Sequence, residues 1–281
     1  MDTPPDAPTD ARTELPAGAP PAEPGPPLLV ERDGPVARLT LNRPERFNAL
    51  STPLLEALQG AIDALATDAE VRAVVLGATG RAFCAGHDLR EMRERPERAH
   101  QAALFARCSA VMRSLLALPQ PVIARVHGLA TAAGCQLVAT CDLAVASSEA
   151  RFAVSGIETG LFCSTPSVAL SRNVSRKRAF EMLVTGDFID AEEAMARGLV
   201  NRVAPPEGLD DALDALLARV LDKSAVALAI GKRQFYAQLE RPLDEAYALA
   251  GEAMADNTTS VDAVEGIDAF LGKRRATWRH R

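Results

Sequence analysis

Between residues 36 and 42, VARLTLN alternates apolar and polar positions with the period of two expected of a half-buried strand, and Pro44 closes it. The next segment, STPLLEALQGAIDALATD, changes period. Leu54, Leu55, Leu58, Ile62 and Leu65 recur at helical spacing behind a Ser cap and an early Pro. VRAVVLGAT then reads as a buried strand, GRAFCAGHDLREM as a loop, and residues from about 97 to 118 as a helix stopped by Pro119. PVIARVHG is again a strand running into glycine, this time followed by a helix of small residues, and DLAVASSEARFAVS supplies two more short strands. Helices of this length between strands imply parallel crossovers, hence an α/β core. From about residue 210 the pattern is almost purely helical, which places a boundary between a core over 28–210 and a helical region over 211–281.

The chain has 281 residues and a formal net charge of −6, from 31 Lys and Arg against 37 Asp and Glu. That balance argues against a nucleic-acid partner, because phosphate neutralisation needs clustered cations. No apolar run is long enough for membrane insertion. Residues 1–27 are rich in Pro and Ala, with several acidic residues against the single Arg12, and read as a disordered extension. Such acidity is wrong for a mitochondrial targeting segment, so a cytoplasmic chain is expected. The five cysteines, Cys84, Cys108, Cys135, Cys141 and Cys163, form no C-x-x-C pair and no metal-ligand spacing. They read as small buried hydrophobes, with a reactive thiol at Cys135 or Cys163 as the alternative.

Chemistry concentrates in VHGLATAAGCQLVATCD, residues 126–142, where a helix begins almost without side chains. A bare helix start exposes N–H groups at the positive end of the helix dipole and suits a developing negative charge. Small residues at that point would equally allow close helix packing.

Five strings in order, LNRPERFNALS, GRAFCAGHDLREM, HGLATAAGCQLVATCDLAVAS, AEEAMARGLVNRV and VEGIDAFLGKRRATW, resemble the crotonase superfamily, the enoyl-CoA hydratase/isomerase family. The wordings AGHDL, GLATAAGCQL and GLFCSTP further resemble one subgroup of it. The resemblance implies an α/β crotonase fold, a spiral of ββα repeats with a C-terminal helical trimerisation region. It also implies a homo-oligomer, a trimer or a dimer of trimers. The ligand it implies is an acyl-CoA thioester, with coenzyme A arriving as part of the substrate and no permanently bound cofactor or metal.

Family enzymes stabilise the enolate oxygen with two backbone N–H groups, which fall here on His87 and Ala133. The resemblance places Ala85, His87, Asp88, Leu89 and Arg90 in the loop that meets CoA, with Arg46 and Lys273 as further cations for its phosphates. Arg46, Arg90 and Lys273 also read as solvated surface charges. The His87 ring either points to CoA or solvent, or titrates in the site. Asp88 and Asp142 also read as acceptors for backbone donors near their loops. The two glutamates that family hydratases use fall on Gln136 and Gly156, neither of which is an acid or base. Gln136 can still hold a water or a carbonyl by hydrogen bonds. Glu158 is the best substitute base, with an exposed loop carboxylate as its other reading. Hydration is therefore expected to be weak or absent, and Gln136→Glu with Gly156→Glu is expected to raise it by orders of magnitude. Two classes stay open: an enzyme working through an atypical base, and a non-catalytic acyl-CoA binder.

Overall fold

The structure, a computed structural model, describes residues 25–280; residues 1–24 of the expected extension lie outside the described residues. A hairpin opens the chain, β1 (Leu28–Asp33) running antiparallel to β2 (Val36–Leu41). Helix α1 (Thr52–Ala66) follows. The Ser51 hydroxyl accepts from the Leu54 N–H at 3.4 Å, and the five apolar residues read from the spacing are its buried face.

Three strand–strand–helix passages then build two sheets at once. The first comprises β3 (Ala73–Ala78), β4 (Ala82–Cys84), α2 (Leu89–Glu94) and α3 (Arg98–Ala117). In the second, β5 (Val122–Val126) and β6 (Leu129–Thr131) lead into α4 (Ala133–Thr140). The third has β7 (Leu143–Ser147), β8 (Arg151–Ala153), α5 (Ser164–Asn173) and α6 (Arg176–Thr185). Then come β9 (Ile189–Asp190), α7 (Ala191–Ala196), β10 (Arg202–Ala204) and α8 (Leu209–Leu221). The described chain finishes with α9 (Ala225–Leu239), α10 (Leu243–Thr258) and α11 (Val261–Leu271).

In each passage the first strand joins a six-stranded sheet, β1-β2-β3-β5-β7-β10, and the second joins a four-stranded sheet, β4-β6-β8-β9. Within the second sheet β4, β6 and β8 are parallel, with Cys84 opposite Ala130 and Ala130 opposite Phe152. Parallel register brings the residues that follow each strand to one edge. The segments after Cys84, Thr131 and Ala153 therefore meet, and that edge carries the site. This is the spiral of ββα repeats that the resemblance implied.

Two readings of the sequence need correction. The segment GRAFCAGHDLREM is more than a loop, since it contains β4 and begins α2. The boundary near residue 210 cuts into the core: Leu209, Leu213 and Leu217 of α8 pack on Val36, Ala73, Val75, Ile123 and Val145, covering the outer face of the large sheet. The helical extension begins instead at α9. It is pinned by Lys232, whose buried ammonium donates to the Leu115 and Gln120 carbonyls (2.9 and 3.0 Å) and pairs with Asp142 at 2.7 Å. Asp142 also accepts from the Val122 N–H at 2.6 Å and the Tyr236 hydroxyl at 2.8 Å.

Candidate active site

Leu50 and His87 form an isolated parallel bridge. The Leu50 N–H donates to the Gly86 carbonyl at 2.7 Å, and the Asp88 N–H donates to the Leu50 carbonyl at 3.2 Å. Because the groups on either side of His87 are spent on Leu50, the His87 N–H points the other way, and it has no acceptor among the described residues. On the neighbouring strand the chain turns sharply at Ala132, with φ 50° and ψ −120°. L-residues rarely hold that conformation, and here hydrogen bonds enforce it: Ala132 N–H to Ala153 carbonyl at 3.0 Å, and Gln136 N–H to Ala132 carbonyl at 3.1 Å. The turn opens α4 with the Ala133 N–H likewise unbonded among the described residues. A Cβ on Gly86 would lie 3.2 Å from the Ala133 nitrogen and 2.8 Å from the Ala132 Cβ, so glycine lets the two donor segments touch.

Both segments line one cavity of about 560 Å³. Its apolar walls are Leu89, Met92, Phe105, Leu161, Phe162 and Pro166, and its polar edge runs along Ser155, Gly156, Cys163 and Ser164. The Ser155 hydroxyl hydrogen-bonds to that of Thr131 at 2.7 Å. Two free N–H groups in a mostly apolar concavity can hold one oxygen that gains negative charge.

Comparison with known proteins shows the family and the fold. A profile of the Enoyl-CoA hydratase/isomerase family matches residues 31–281. The chain belongs to that family. It is 44% identical over 265 residues to a rat protein named enoyl-CoA hydratase domain-containing protein 3, mitochondrial, spanning 94% of this chain and 88% of the rat protein. Among solved structures, an enoyl-CoA hydratase from Mycobacterium smegmatis superposes with a TM-score of 0.89 at 59% identity, covering 90% of this chain and 99% of that one. The human enoyl-CoA hydratase domain-containing protein 3 superposes with a TM-score of 0.87 at 43% identity, covering 90% and 100%. These matches place the chain in the crotonase superfamily beside the domain-containing protein 3 subgroup. They also correct the expectation of a cytoplasmic chain, because the vertebrate relatives are named mitochondrial. Acidity of the first 27 residues bears only on one kind of targeting segment.

Within this family member the candidate residues separate. Ala85, His87, Leu89 and Ala133 line the cavity. The two nitrogens of the His87 ring are sealed and make no hydrogen bond of good geometry; the ring packs edge-on against Phe105, centroids 5.2 Å apart. Burial pulls its pKa below the ordinary imidazole value, opposed by the Leu50 backbone and the Glu91 charge.

Asp88 is a structural residue. Its carboxylate caps α2 by accepting from the Arg90 N–H at 3.1 Å and the Glu91 N–H, and it pairs with Arg43 at 3.1 Å. Burial works against that carboxylate, but Arg43 and the two N–H groups outweigh it and hold its pKa below the usual range. The side chain is thus committed within the protein rather than free for CoA.

Arg46 and Arg90 flank the donor loop and make no ion pair among the described residues, and, like Lys273, exposed after α11, they are absent from the cavity lining. Glu158 is exposed and lies outside the cavity lining; its carboxylate turns toward Gly186, which a Cβ there would approach to 3.2 Å. The assignment of Glu158 as substitute base is withdrawn on that placement.

Two positions carry surprises. A Cβ on Gly134 would sit 2.0 Å from the Cys84 carbonyl oxygen, so this glycine serves close packing of α4 on β4, not ligand access. A Cβ on Gly156 would meet the Cys163 sulfur at 2.6 Å and the Leu161 carbonyl oxygen at 2.7 Å. The thiol thus fills the space a side chain at 156 would enter. Burial raises the Cys163 pKa despite the Gly156 N–H beside it, so the thiol is neutral near pH 7, and burial pushes Cys135 up to about 12.

Sequence reasoning missed Arg43 and Asn48. Asn48 is fully buried with φ 54°, and its amide donates to the Thr79 and Ala82 carbonyls at 2.8 Å while accepting from the Arg43 N–H. Together they seat the donor loop. The signal was RPERFNA itself, a turn-rich run ending in Asn, which tolerates the left-handed region.

Proposed function

We propose that the cavity binds an acyl-CoA thioester and holds its carbonyl oxygen, as an enolate when one forms, between the N–H groups of His87 and Ala133. The observation that carries this reading is that two separately anchored segments each aim an unbonded N–H at the same apolar cavity. Coenzyme A comes and goes with the acyl group, its phosphates meeting Arg46 and Arg90 at the loop. Hydration by the two-carboxylate route is weak or absent, since neither Gln136 nor Gly156 transfers a proton and Glu158 faces away. Thermal unfolding tests the binding: butyryl-CoA should raise the midpoint more than butyrate at equal concentration, and equal shifts would refute it. In the same samples crotonyl-CoA should be hydrated at well below about 10 s⁻¹, an ordinary enzyme rate.

Assembly as a trimer or a dimer of trimers belongs to the same proposal. Helices α10 and α11 leave Leu243 at 70%, Tyr247 at 74% and Phe270 at 83% exposure, more apolar surface than a solvated appendage needs. Sedimentation at micromolar concentration should show no monomer.

A further inference from the structure

Glu91 is the third residue of α2, the short helix that follows the His87 donor, yet its carboxylate serves a different helix. In the usual arrangement an acid at this position reaches back to the N–H of the residue that caps its own helix. Here that N–H, on Asp88, is spent on the Leu50 carbonyl at 3.2 Å. Glu91 crosses instead to the start of α1, where one oxygen accepts from the Thr52 N–H at 2.9 Å and the other from the Thr52 hydroxyl. The Thr52 N–H is one of the donors that a helix start leaves without an internal partner, and a carboxylate there also meets the positive end of the 15-residue α1. Thr52 follows Leu50 and Glu91 follows His87, so this clamp closes just past the Leu50–His87 bridge. Arg43, donating to the Asp88 carboxylate at 3.1 Å and to the Ala49 carbonyl at 2.7 Å, ties the same two segments beside it. Apolar packing does not replace these ties, because no side chain of α2 is buried.

We propose that Glu91 is a positioning residue for the His87 donor: by clamping α2 to the start of α1 it fixes the aim of the His87 N–H at the thioester carbonyl. This rests on the acyl-CoA reading above. The direction of that N–H is set by the pairing of its neighbours with Leu50, and a bridge of one residue pair holds its geometry only while both segments keep their spacing. Moving α2 away from α1 twists the peptide between Gly86 and His87, and a hydrogen bond weakens steeply as its angle falls toward about 120°. Glu91 is absent from the cavity lining, whereas Leu89 and Met92 on the same helix belong to it. Its effect on a bound carbonyl therefore travels through the backbone that it holds.

Isothermal titration of the full-length protein with butyryl-CoA and with S-butyl-CoA, the thioether without the carbonyl oxygen, isolates that oxygen. The wild type should prefer the thioester by about tenfold, the worth of one well-made hydrogen bond. Glu91→Ala should cut the preference to within about threefold while S-butyl-CoA binds as before, because the thioether makes no use of the His87 N–H. Thr52→Val, which removes only the hydroxyl end of the clamp, should lower the preference part of the way, and it carries the test alone if Glu91→Ala fails to fold. Glu91→Gln keeps an acceptor for the Thr52 N–H and should restore most of the preference. An unchanged preference in Glu91→Ala overturns the positioning role and leaves the acyl-CoA reading standing. So does an equal loss of affinity for both ligands, the mark of a residue that only supports the fold. An unchanged preference in Thr52→Val refutes the clamp and assigns any loss in Glu91→Ala to its charge. If the wild type binds the two ligands equally, or binds neither, the acyl-CoA reading itself fails and the positioning role with it.

Discussion

The two sides of the cavity are built from different materials. On one side, at His87 and Ala133, the groups proposed to hold the carbonyl oxygen are backbone N–H bonds, oriented by the Leu50 bridge and the enforced turn at Ala132. At Gln136, one turn further along α4, and at Gly156, any chemistry has to come from side chains, and there the chain offers an amide and a bare Cα. Backbone donors survive almost any substitution, because every residue but proline carries an N–H. Side-chain acids do not. On the proposed reading, this chain keeps a means of holding an oxyanion without side-chain acids to move protons.

The sharpest way to break this contrast is to disturb the backbone side through packing alone. Gly134→Ala leaves both donor residues untouched, but its methyl would stand 2.0 Å from the Cys84 carbonyl oxygen, and backbone cannot retreat cheaply. We expect a loss of about 3 kcal/mol or more in stability and loss of the butyryl-CoA thermal shift. Unchanged ester binding would show that the start of α4 does not position the donor.

Restoring the side-chain side is the next test. The sequence alone suggested that Gln136→Glu with Gly156→Glu would rebuild a hydratase, but the Cys163 sulfur at 2.6 Å and the Leu161 carbonyl oxygen at 2.7 Å leave no room at 156. The double variant should lose about 1–3 kcal/mol by overpacking and gain little crotonyl-CoA hydration. Adding Cys163→Ala relieves the sulfur contact only. A gain of orders of magnitude in the double variant would mean that the 161–163 segment yields easily.

The smallest expected effect separates the His87 ring from its backbone. Burial lowers the pKa of His87 and of His127, so the unfolded state binds more protons between those lowered values and about 6.5. Stability should rise with pH through that window and level off above about 6.5, and below the window these two rings add no further change. His87→Phe should flatten part of the slope while retaining the ester shift, because the N–H remains. A lost ester shift with native stability would place the imidazole itself in the site.

Much of the fold was legible in the linear pattern. The period-two run of β2, the leucine spacing of α1 and the Pro119 stop of α3 are local signals, each set by which face of an element must be buried. The short strands β6, β9 and β10 were not legible: three residues or fewer carry no periodicity, and they exist because neighbouring strands accept their hydrogen bonds. Helix α8 was recognised as a helix but assigned to the wrong unit. An amphipathic stripe says that a face is buried and does not say against what.

At the site the division follows the same line. The sequence by itself determined which groups are available: the bare start of α4, the absence of carboxylates at 136 and 156, and the glycine at 86. Tertiary structure decided what they do. Gly134 and Ala133 look alike in AAGCQ, yet one is filled by the Cys84 carbonyl and the other faces the cavity. Glu158 looks as available as any loop acid, and the turn before α5 sends it outward. The physical reason is that composition and period describe one segment at a time. The aim of an N–H and the room beside a Cα depend on two or three segments, distant along the chain, arriving at the same sheet edge.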